Sequence, residues 1–574
     1  MPVHNPEIVK ALQQAADLLE IEGANPFRVR AYRNAARTVE ELSQEVFELL
    51  EQGKPLTELS GIGKDLAGKI REIVETGTFP QLEAAKDRTP PALGELLEVQ
   101  GLGPERVRAL YRELGVTDRQ GLRKAAEAER VRELDGFGPK TERKILSELE
   151  KVEERKKRTR LDRAEGAARD LVSYLETARG VQEIAVAGSF RRRCQTVGDL
   201  DILVTCGRGR AEDVMERFVR YDEVDEVVSR GETRSTVTLR SGLQVDLRAV
   251  GQASYGAALH YFTGSKAHNI AVRRLGQSKG LKVNEYGVFR GDDRIAGKTE
   301  EEVYGQVGLP YIEPELREDR GELEAAREGR LPELVTLDEI RGDLHAHTVE
   351  TDGRFTLEEM AEAAREKGYG YLAISNHSKR VAMVKGYDAD RLAQEIDRID
   401  ELNEKLEGFR VLKSIEVDIL KDGSLDLSND ILGRLDLTVC SVHYDTNLSR
   451  EQQTERILRA MDNPLFHILA HPTGRLLGQR DPYEVDLERV MRGAAERGCF
   501  LEVNAHPERL DLDDVHCKLA KELGVKVAIS TDAHSLADLD HMRFGVWQAR
   551  RGWLEAEDVL NTRAWTDLRK LLRR

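Results

Sequence analysis

The chain has 574 residues, 33% of them charged and 5% aromatic, with a formal net charge of −16; that is too long for one core, so several domains are expected. No apolar run approaches the ~20 residues of a membrane span and MPVHNPEIVK carries no signal pattern, so a soluble, cytoplasmic protein without membrane partners is expected. The scattered cysteines (Cys194, Cys206, Cys440, Cys499, Cys517) form no Cys-x-x-Cys pair, which excludes a zinc knuckle and fits a reducing compartment.

One pattern recurs near the start. LTELSGIGKDLAGKI (56–70), LLEVQGLGPERVRAL (96–110) and VRELDGFGPKTERKI (131–145) each place a Gly-x-Gly turn before a helical period. The turns hold Gly61 and Gly63, Gly101 and Gly103, and Gly136 and Gly138. Such glycines allow a tight turn that leaves the second helix's free N–H groups and positive dipole end open to a phosphate. These read as helix–hairpin–helix units that grip DNA backbone without reading sequence, with packing alone as the alternative. A helical domain over 1–88 and a second over 89–150 follow. Residues 28–37 and 142–163 are locally basic despite the acidic average.

From 183 to 250 the texture changes to short strands: EIAVAGSF, DILVTC, EVVSR, TVTLR, QVDLRAV. In GDLDILV, Asp199 and Asp201 lie two apart and so share one strand face. Two half-buried carboxylates repel and cost several kcal/mol, in order of magnitude, unless a positive charge neutralises them. LQVDLRAV raises a third, Asp246, within an apolar alternation. Three carboxylates from two strands suit two divalent cations that clamp the oxygens of a phosphoryl transfer. Upstream, GSFRRR offers Ser189 and Arg191 to Arg193, the hydroxyl and guanidinium groups a triphosphate needs. A solvated strand end is the alternative for the Asp pair alone.

A helical stretch follows over 253–280, then a charged connector over about 313–338. Strands and helices then alternate to the end (YLAISNH, RVLKSIEVDI, LDLTVCSVH, FHILAHP, CFLEVNA, KVAISTDAH), which predicts a parallel α/β barrel or sheet. His345, His347, Asp352, His377, Glu416, His443, His471, Asp532 and His534 fall at the C-terminal ends of successive strands. A lone histidine there is usually structural, but nine such positions mark where barrel active sites gather. Imidazole with carboxylate suits zinc, manganese or iron.

The series GSFRR…GDLD, then VD, then YFTGSKAHNIAVRR, downstream of helix–hairpin–helix units, resembles the DNA polymerase X family. The resemblance implies an α+β nucleotidyltransferase palm over 151–257 and a thumb over 258–318. Asp199, Asp201 and Asp246 would be catalytic and hold Mg²⁺ or Mn²⁺, with Asp246 orienting or deprotonating a primer 3′-hydroxyl. Ser189, Arg192 and the Gly198 backbone would hold the β- and γ-phosphates. Tyr261, Phe262 and Gly264 would line the sugar pocket, Asn269 would reach the base edge and Arg273 the template side. Cys194 stands where the family usually has glycine, and Gln244 where polymerase beta has an arginine beside the primer hydroxyl. PFRVRAYRNAAR resembles the family's lyase domain, with Lys69 at the Schiff-base position and Asp65 replacing another lysine. Lys69 is thus a candidate lyase amine or phosphate contact.

The histidine series is similar to the PHP (polymerase and histidinol phosphatase) family, a distorted β/α barrel with three metals. It implies such a domain over 339–574 after a linker over 319–338. His345, His347, Glu416 and Asp532 would surround one metal, with Glu416 bridging to a second held by His443 and His471. Asp352, His377 and His534 would surround the third. Asn376 replaces a common aspartate before His377, and Arg475 of HPTGR is a candidate contact to the scissile phosphate. Together the resemblances cover the chain and match the bacterial X-family type. They imply a monomer filling short DNA gaps in base excision repair from deoxynucleoside triphosphates, on gapped or primer–template DNA. A PHP 3′–5′ exonuclease, abasic-site cleavage and 3′-phosphate removal are expected beside it. The rival readings are a polymerase fused to a histidinol-phosphatase-like enzyme, and a catalytically silent DNA-end scaffold.

Overall fold

The computed structural model describes residues 5–40, 46–51, 53–59, 62–99, 102–156, 158–207 and 209–573. The chain divides into two compact units, 1–157 and 158–574.

The first unit is helical among its described residues. The predicted Gly-x-Gly turns precede α1 (Lys64–Thr76), α2 (Pro104–Leu114) and α3 (Pro139–Lys156). Gly63 and Gly103 are the N-caps of α1 and α2, and proline opens α2 and α3, where its missing N–H costs nothing. In α1, Leu66, Ile70 and Ile73 recur at helical spacing and are buried. They join a core around Leu12 and Tyr32, while a second core gathers Leu96, Leu110 and Ile145.

The second unit opens with a five-stranded sheet. Its strands are β1 (Val181–Val186), β2 (Asp199–Cys206), β3 (Val224–Arg230), β4 (Arg234–Leu239) and β5 (Gln244–Val250). Their spatial order is β1-β2-β5-β4-β3, with β2 and β5 parallel and the remaining pairs antiparallel. Leu200, Ile202 and Val204 of β2 are buried in the core beneath, so the alternation turns Asp199 and Asp201 to the other face. A short helix α4 (Gly188–Arg191) precedes β2, and α5 (Tyr255–Thr263) and α6 (Lys266–Ser278) follow β5.

Eight further parallel strands form two sheets. One holds β6 (Gly342–Ala346), β7 (Tyr371–Ile374) and β8 (Arg410–Lys413). The other holds β9 (Glu416–Asp418), β10 (Val439–Ser441), β11 (Ile468–Leu469), β12 (Phe500–Asn504) and β13 (Val527–Ser530). Single parallel bridges, Ala346 to Ala533 and His377 to Glu416, join the sheets into an interrupted ring. RVLKSIEVDI, predicted as one strand, breaks at Ser414–Ile415 and changes sheet. The Glu416 amide turns to the carbonyls of Ser375 (3.2 Å) and Asn376 (3.1 Å), which sets Glu416 at the junction of the two sheets. Helix α7 (Met542–Arg551) packs after β13.

The stretch 319–338 is not a loose linker. Glu322 is fully buried and accepts from the His268 ring at 2.6 Å and from the Asp319 and Arg320 amides. Arg320 pairs with Asp514 at 2.8 Å.

Candidate functional site: two anionic centres

Register places Asp201 directly beside Asp246 on the parallel pair β2 and β5. Burial, reinforced by the Asp199 and Asp246 charges, pushes the Asp201 carboxyl up to about 7, and burial with Asp246 also raises Asp199. The three carboxylates therefore crowd one another in a partly dry site and fit a group that brings positive charge. Asp246 accepts from Thr236 Oγ1 (2.6 Å), Arg234 Nη2 (3.2 Å) and Gln244 Nε2 (3.2 Å). Gln244 thus still orients Asp246, and the cation expected at that position comes instead from Arg234 on the neighbouring strand.

The turn before β2 fits closely over these acids. Gly188 has φ +64, and a Cβ there would lie 2.6 Å from Asp201 Oδ2, so only glycine fits. Ser189 follows on α4, and the Cys194 amide closes the turn onto the Ser189 carbonyl at 3.0 Å. The left-handed residue is Arg193 (φ 58), not Cys194, so the turn needs no glycine at 194. Gly198 immediately precedes β2.

The three arginines have separate duties. Arg191 is bound by Glu300 (2.6 Å) and Thr263 Oγ1 (2.8 Å). Arg193 lies 3.9 Å over the Trp547 ring. Arg192 donates to Glu318 (2.9 Å) and the Thr263 carbonyl (2.8 Å), and its charge acts on Asp201. Of the sugar- and base-side candidates, Phe262 lies under Arg248 and Tyr261 near Arg273, with the cations 4.5 and 6.0 Å from the ring centres. Asn269 is buried, donates to the Tyr261 carbonyl at 2.6 Å and holds its Oδ1 2.7 Å from where a Gly264 Cβ would be. It braces the Tyr261–Gly264 turn, and its Oδ1 is itself buried.

Since Asp201 keeps a proton up to about pH 7, a cation entering below that pH must displace it. The Mn²⁺ concentration for half-maximal nucleotide addition is expected to rise about tenfold from pH 8 to pH 6. A flat profile would contradict this charge crowding.

The second centre lies where the two C-terminal sheets meet. His345 Nε2 and His347 Nε2 face each other at 3.1 Å, with Asp532 Oδ1 at 3.6 and 3.2 Å and Glu416 Oε2 at 3.6 and 3.7 Å. Ligands of a tetrahedral zinc-sized ion, about 2.1 Å from it, lie about 3.4 Å apart. His345, His347 and Asp532 offer three atoms close enough to share such an ion, with Glu416 Oε2 beside the two histidines. Glu416 turns its other oxygen, Oε1, to His443 Nε2 (3.2 Å) and His471 Nε2 (2.9 Å), as a bridging carboxylate must. Asp352 Oδ2 meets His377 Nε2 (3.1 Å) and His534 Nε2 (3.3 Å), and its Oδ1 lies 3.4 Å from His347 Nδ1. All nine predicted residues converge. Burial alone would lower the His345 imidazole, yet the Glu502, Asp532 and Glu416 carboxylates hold it well above its usual range. His471 (φ 26) and Asp532 (φ 54) adopt left-handed backbone, strain of the kind found at functional sites.

Supporting residues absent from the sequence reading appear here. Glu502, fully buried, binds His345 Nδ1 at 2.8 Å and the His471 amide at 2.7 Å, and Asp418 binds His443 Nδ1 at 3.2 Å. Each fixes the tautomer that turns Nε2 to the centre. An acid inside the apolar run CFLEVNA was the available signal for Glu502. Asn376 uses both ends of its amide: Oδ1 accepts from the Thr348 amide and Thr351 Oγ1, and Nδ2 donates to Thr348 Oγ1, each at 2.9 Å. It thereby braces the turn that delivers Asp352.

Arg475 does not face the cleft. Its guanidinium binds the carbonyls of Arg509 (3.0 Å) and Leu510, so it is spent on holding that loop. Arg509 instead lines the cleft of about 310 Å³ over the histidines, 3.4 Å from Asp532.

In the first unit, Gly61 and Gly101 lie outside the described residues. Gly136 has φ +77, and a Cβ at Gly63, Gly103 or Gly138 would meet nothing within 4 Å. Packing does not demand glycine at those three helix entrances, and the space left open suits a phosphate. Lys69 does not suit the role of lyase amine. It is buried, and although burial lowers its pKa, the 2.5 Å bond to Asp65 and the Tyr32 side chain raise it overall. An amine nucleophile needs the opposite shift. Borohydride reduction with DNA bearing a 5′-deoxyribose phosphate is expected to trap no adduct at Lys69; an adduct mapped there would overturn this.

The comparisons match the chain region by region. Residues 3–79 match a helix-hairpin-helix domain family, and 93–151 a SAM-like helix-hairpin-helix tandem. Residues 160–259 match the DNA polymerase beta palm, and 258–318 its thumb. A DNA polymerase/3′-5′ exonuclease PolX of Bacillus subtilis (strain 168) is 38% identical over the full length of both chains. A probable phosphatase of Thermoanaerobacter sp. (strain X514) is 30% identical over 38% of this chain and 89% of its own. DNA polymerase lambda of Rattus norvegicus is 24% identical over 55% of this chain and 56% of its own. With two anionic centres where the acids and histidines require them, and full-length similarity to a PolX protein, the chain belongs to the PolX family of DNA polymerases.

Proposed function

We propose that this chain extends primers in short DNA gaps at the Asp199/Asp201/Asp246 centre and removes 3′ nucleotides at the histidine centre. The observation that carries the proposal is the Asp201–Asp246 register beneath the Gly188 turn, which unites acids and a phosphate-binding turn in one site. The Bacillus subtilis relative named for both activities supports the pairing.

At the first centre Asp246, oriented by Thr236, Arg234 and Gln244, is the base or positioning group for a primer 3′-hydroxyl. Ser189, the Gly198 backbone and Arg192 hold the triphosphate, and Tyr261, Phe262 and Gly264 hold the sugar. Mg²⁺ or Mn²⁺ would be held by the three aspartates, and zinc, manganese or iron by the nine residues of the second centre. When bound, such cations neutralise phosphate oxygens and make water a better nucleophile at neutral pH. Arg509 is the candidate contact to the scissile phosphate. Deoxynucleoside triphosphates and gapped or primer–template DNA are the substrates, and base excision repair is the setting. Abasic-site cleavage and 3′-phosphate removal are further tasks of the second centre, and the protein acts as a cytoplasmic monomer. Among the described residues no helix is long and apolar enough to cross a membrane.

The rival small-molecule phosphatase meets an unfavourable rim. Val381 and Met383 line the histidine cleft, Met383 is 90% exposed, and Lys379 and Arg380 stand exposed beside them. That basic, apolar edge suits a polymer end. A 5′-labelled primer in a gap should lengthen with Mn²⁺ and nucleotides and shorten with Mn²⁺ alone. Neither change, with rapid turnover of histidinol phosphate, would reverse the reading.

A further inference from the structure

The sequence GSFRRRC ends at a surface that belongs to the C-terminal region. Arg193 lies 3.9 Å over the Trp547 ring of α7 and 5.5 Å from Phe190. Phe544 of α7 and Leu510 are part of the same apolar core as Leu200 and Ile202. At the end of α7, Arg551 is 6% exposed. It donates through Nη1 to the Arg192 carbonyl (2.7 Å) and to Glu318 Oε1 (3.0 Å), and through Nη2 to Asp514 (2.7 Å). Glu318 Oε1 also accepts from Arg192 Nε at 2.9 Å. One carboxylate oxygen therefore sits between an arginine of the polymerase turn and an arginine of the histidine-bearing region.

This arrangement fixes the back edge of Arg192. Its Nε is bound by Glu318 and one Nη1 proton by the Thr263 carbonyl, while Nη2 makes a long contact to Cys194 Sγ at 3.9 Å, its one hydrogen bond among the described residues. A guanidinium held in this way is pre-organised and loses less freedom on binding a triphosphate. We propose that Arg551, through Glu318 and the Arg192 carbonyl, is a positioning residue for the nucleotide triphosphate, so that the PHP region builds part of the polymerase's nucleotide site. This rests on the polymerase reading above. Among the described residues Arg551 bonds to the Arg192 carbonyl, Glu318 and Asp514 and to none of the nine residues of the histidine centre, so its effect passes through Arg192.

The test is deoxynucleotide affinity, measured by calorimetry on the full chain bound to gapped DNA with a dideoxy-terminated primer and Ca²⁺. Arg551→Ala and Glu318→Gln, the second leaving every PHP residue in place, are each expected to raise the nucleotide Kd at least fivefold. The double variant should add little to either single one, since both act through one network. Arg551→Lys, which keeps the charge but not the three-way bridge, should recover part of the affinity. In steady-state extension the KM should rise more than kcat falls, and 3′ shortening should stay within twofold of wild type. Unchanged affinity in Arg551→Ala overturns the inference, as does equal loss of extension and shortening. Failure of the wild-type chain to bind nucleotide would instead overturn the polymerase reading and this inference with it.

Discussion

Asp246→Asn is expected to lower nucleotide addition by about three orders of magnitude, equivalent to about 4 kcal/mol of transition-state stabilisation, and to leave 3′ shortening unchanged. The substitution keeps size and shape and can still accept from Thr236 Oγ1, which lies 2.6 Å from Asp246 Oδ1. What it removes is the charge beside Asp201 and the carboxylate that accepts or steers the primer proton. Because Asp246 is one of the charges that raise Asp201, the same change should let Asp201 ionise more readily. A variant with lost extension but tighter Mn²⁺ binding would contradict the shared-cation account, and full extension would remove Asp246 from the chemistry.

Glu416→Gln is expected to do the converse: 3′ shortening falls about a thousandfold while primer extension persists. Glu416 has one oxygen toward His345 and His347 and the other toward His443 and His471. An amide offers one weak oxygen ligand where the carboxylate offered two, so two cation positions weaken together. Metal analysis should therefore show a fall of about two ions per chain, read beside the activity. Glu416→Asp, which keeps the charge but shortens the reach, should fall between wild type and Glu416→Gln. Unchanged metal content with lost shortening would mean that Glu416 does not bridge.

Much of both centres was legible because local periodicity carries it. Strand alternation put Asp199 and Asp201 on one face and His345 beside His347, and β2 and β5 needed only the right register to add Asp246. The Gly-x-Gly turns before α1, α2 and α3 were equally local. The break in RVLKSIEVDI was not, because the amide of Glu416 follows the carbonyls of Ser375 and Asn376 on another strand. Nor was the role of Arg475, which depends on a loop 34 and 35 residues downstream.

By itself the sequence determined which side chains can ligate cations and on which strand faces they stand, since alternation and turn chemistry act between near neighbours. Only the tertiary structure decided what supports them. Glu502 reaches His345 across 157 positions, Arg551 reaches the Arg192 carbonyl across 359, and Lys69 is charged by Asp65 in a buried setting. Burial and long-range pairing set the charge, tautomer and direction of a functional group, and neither is written in the spacing of residues along the chain.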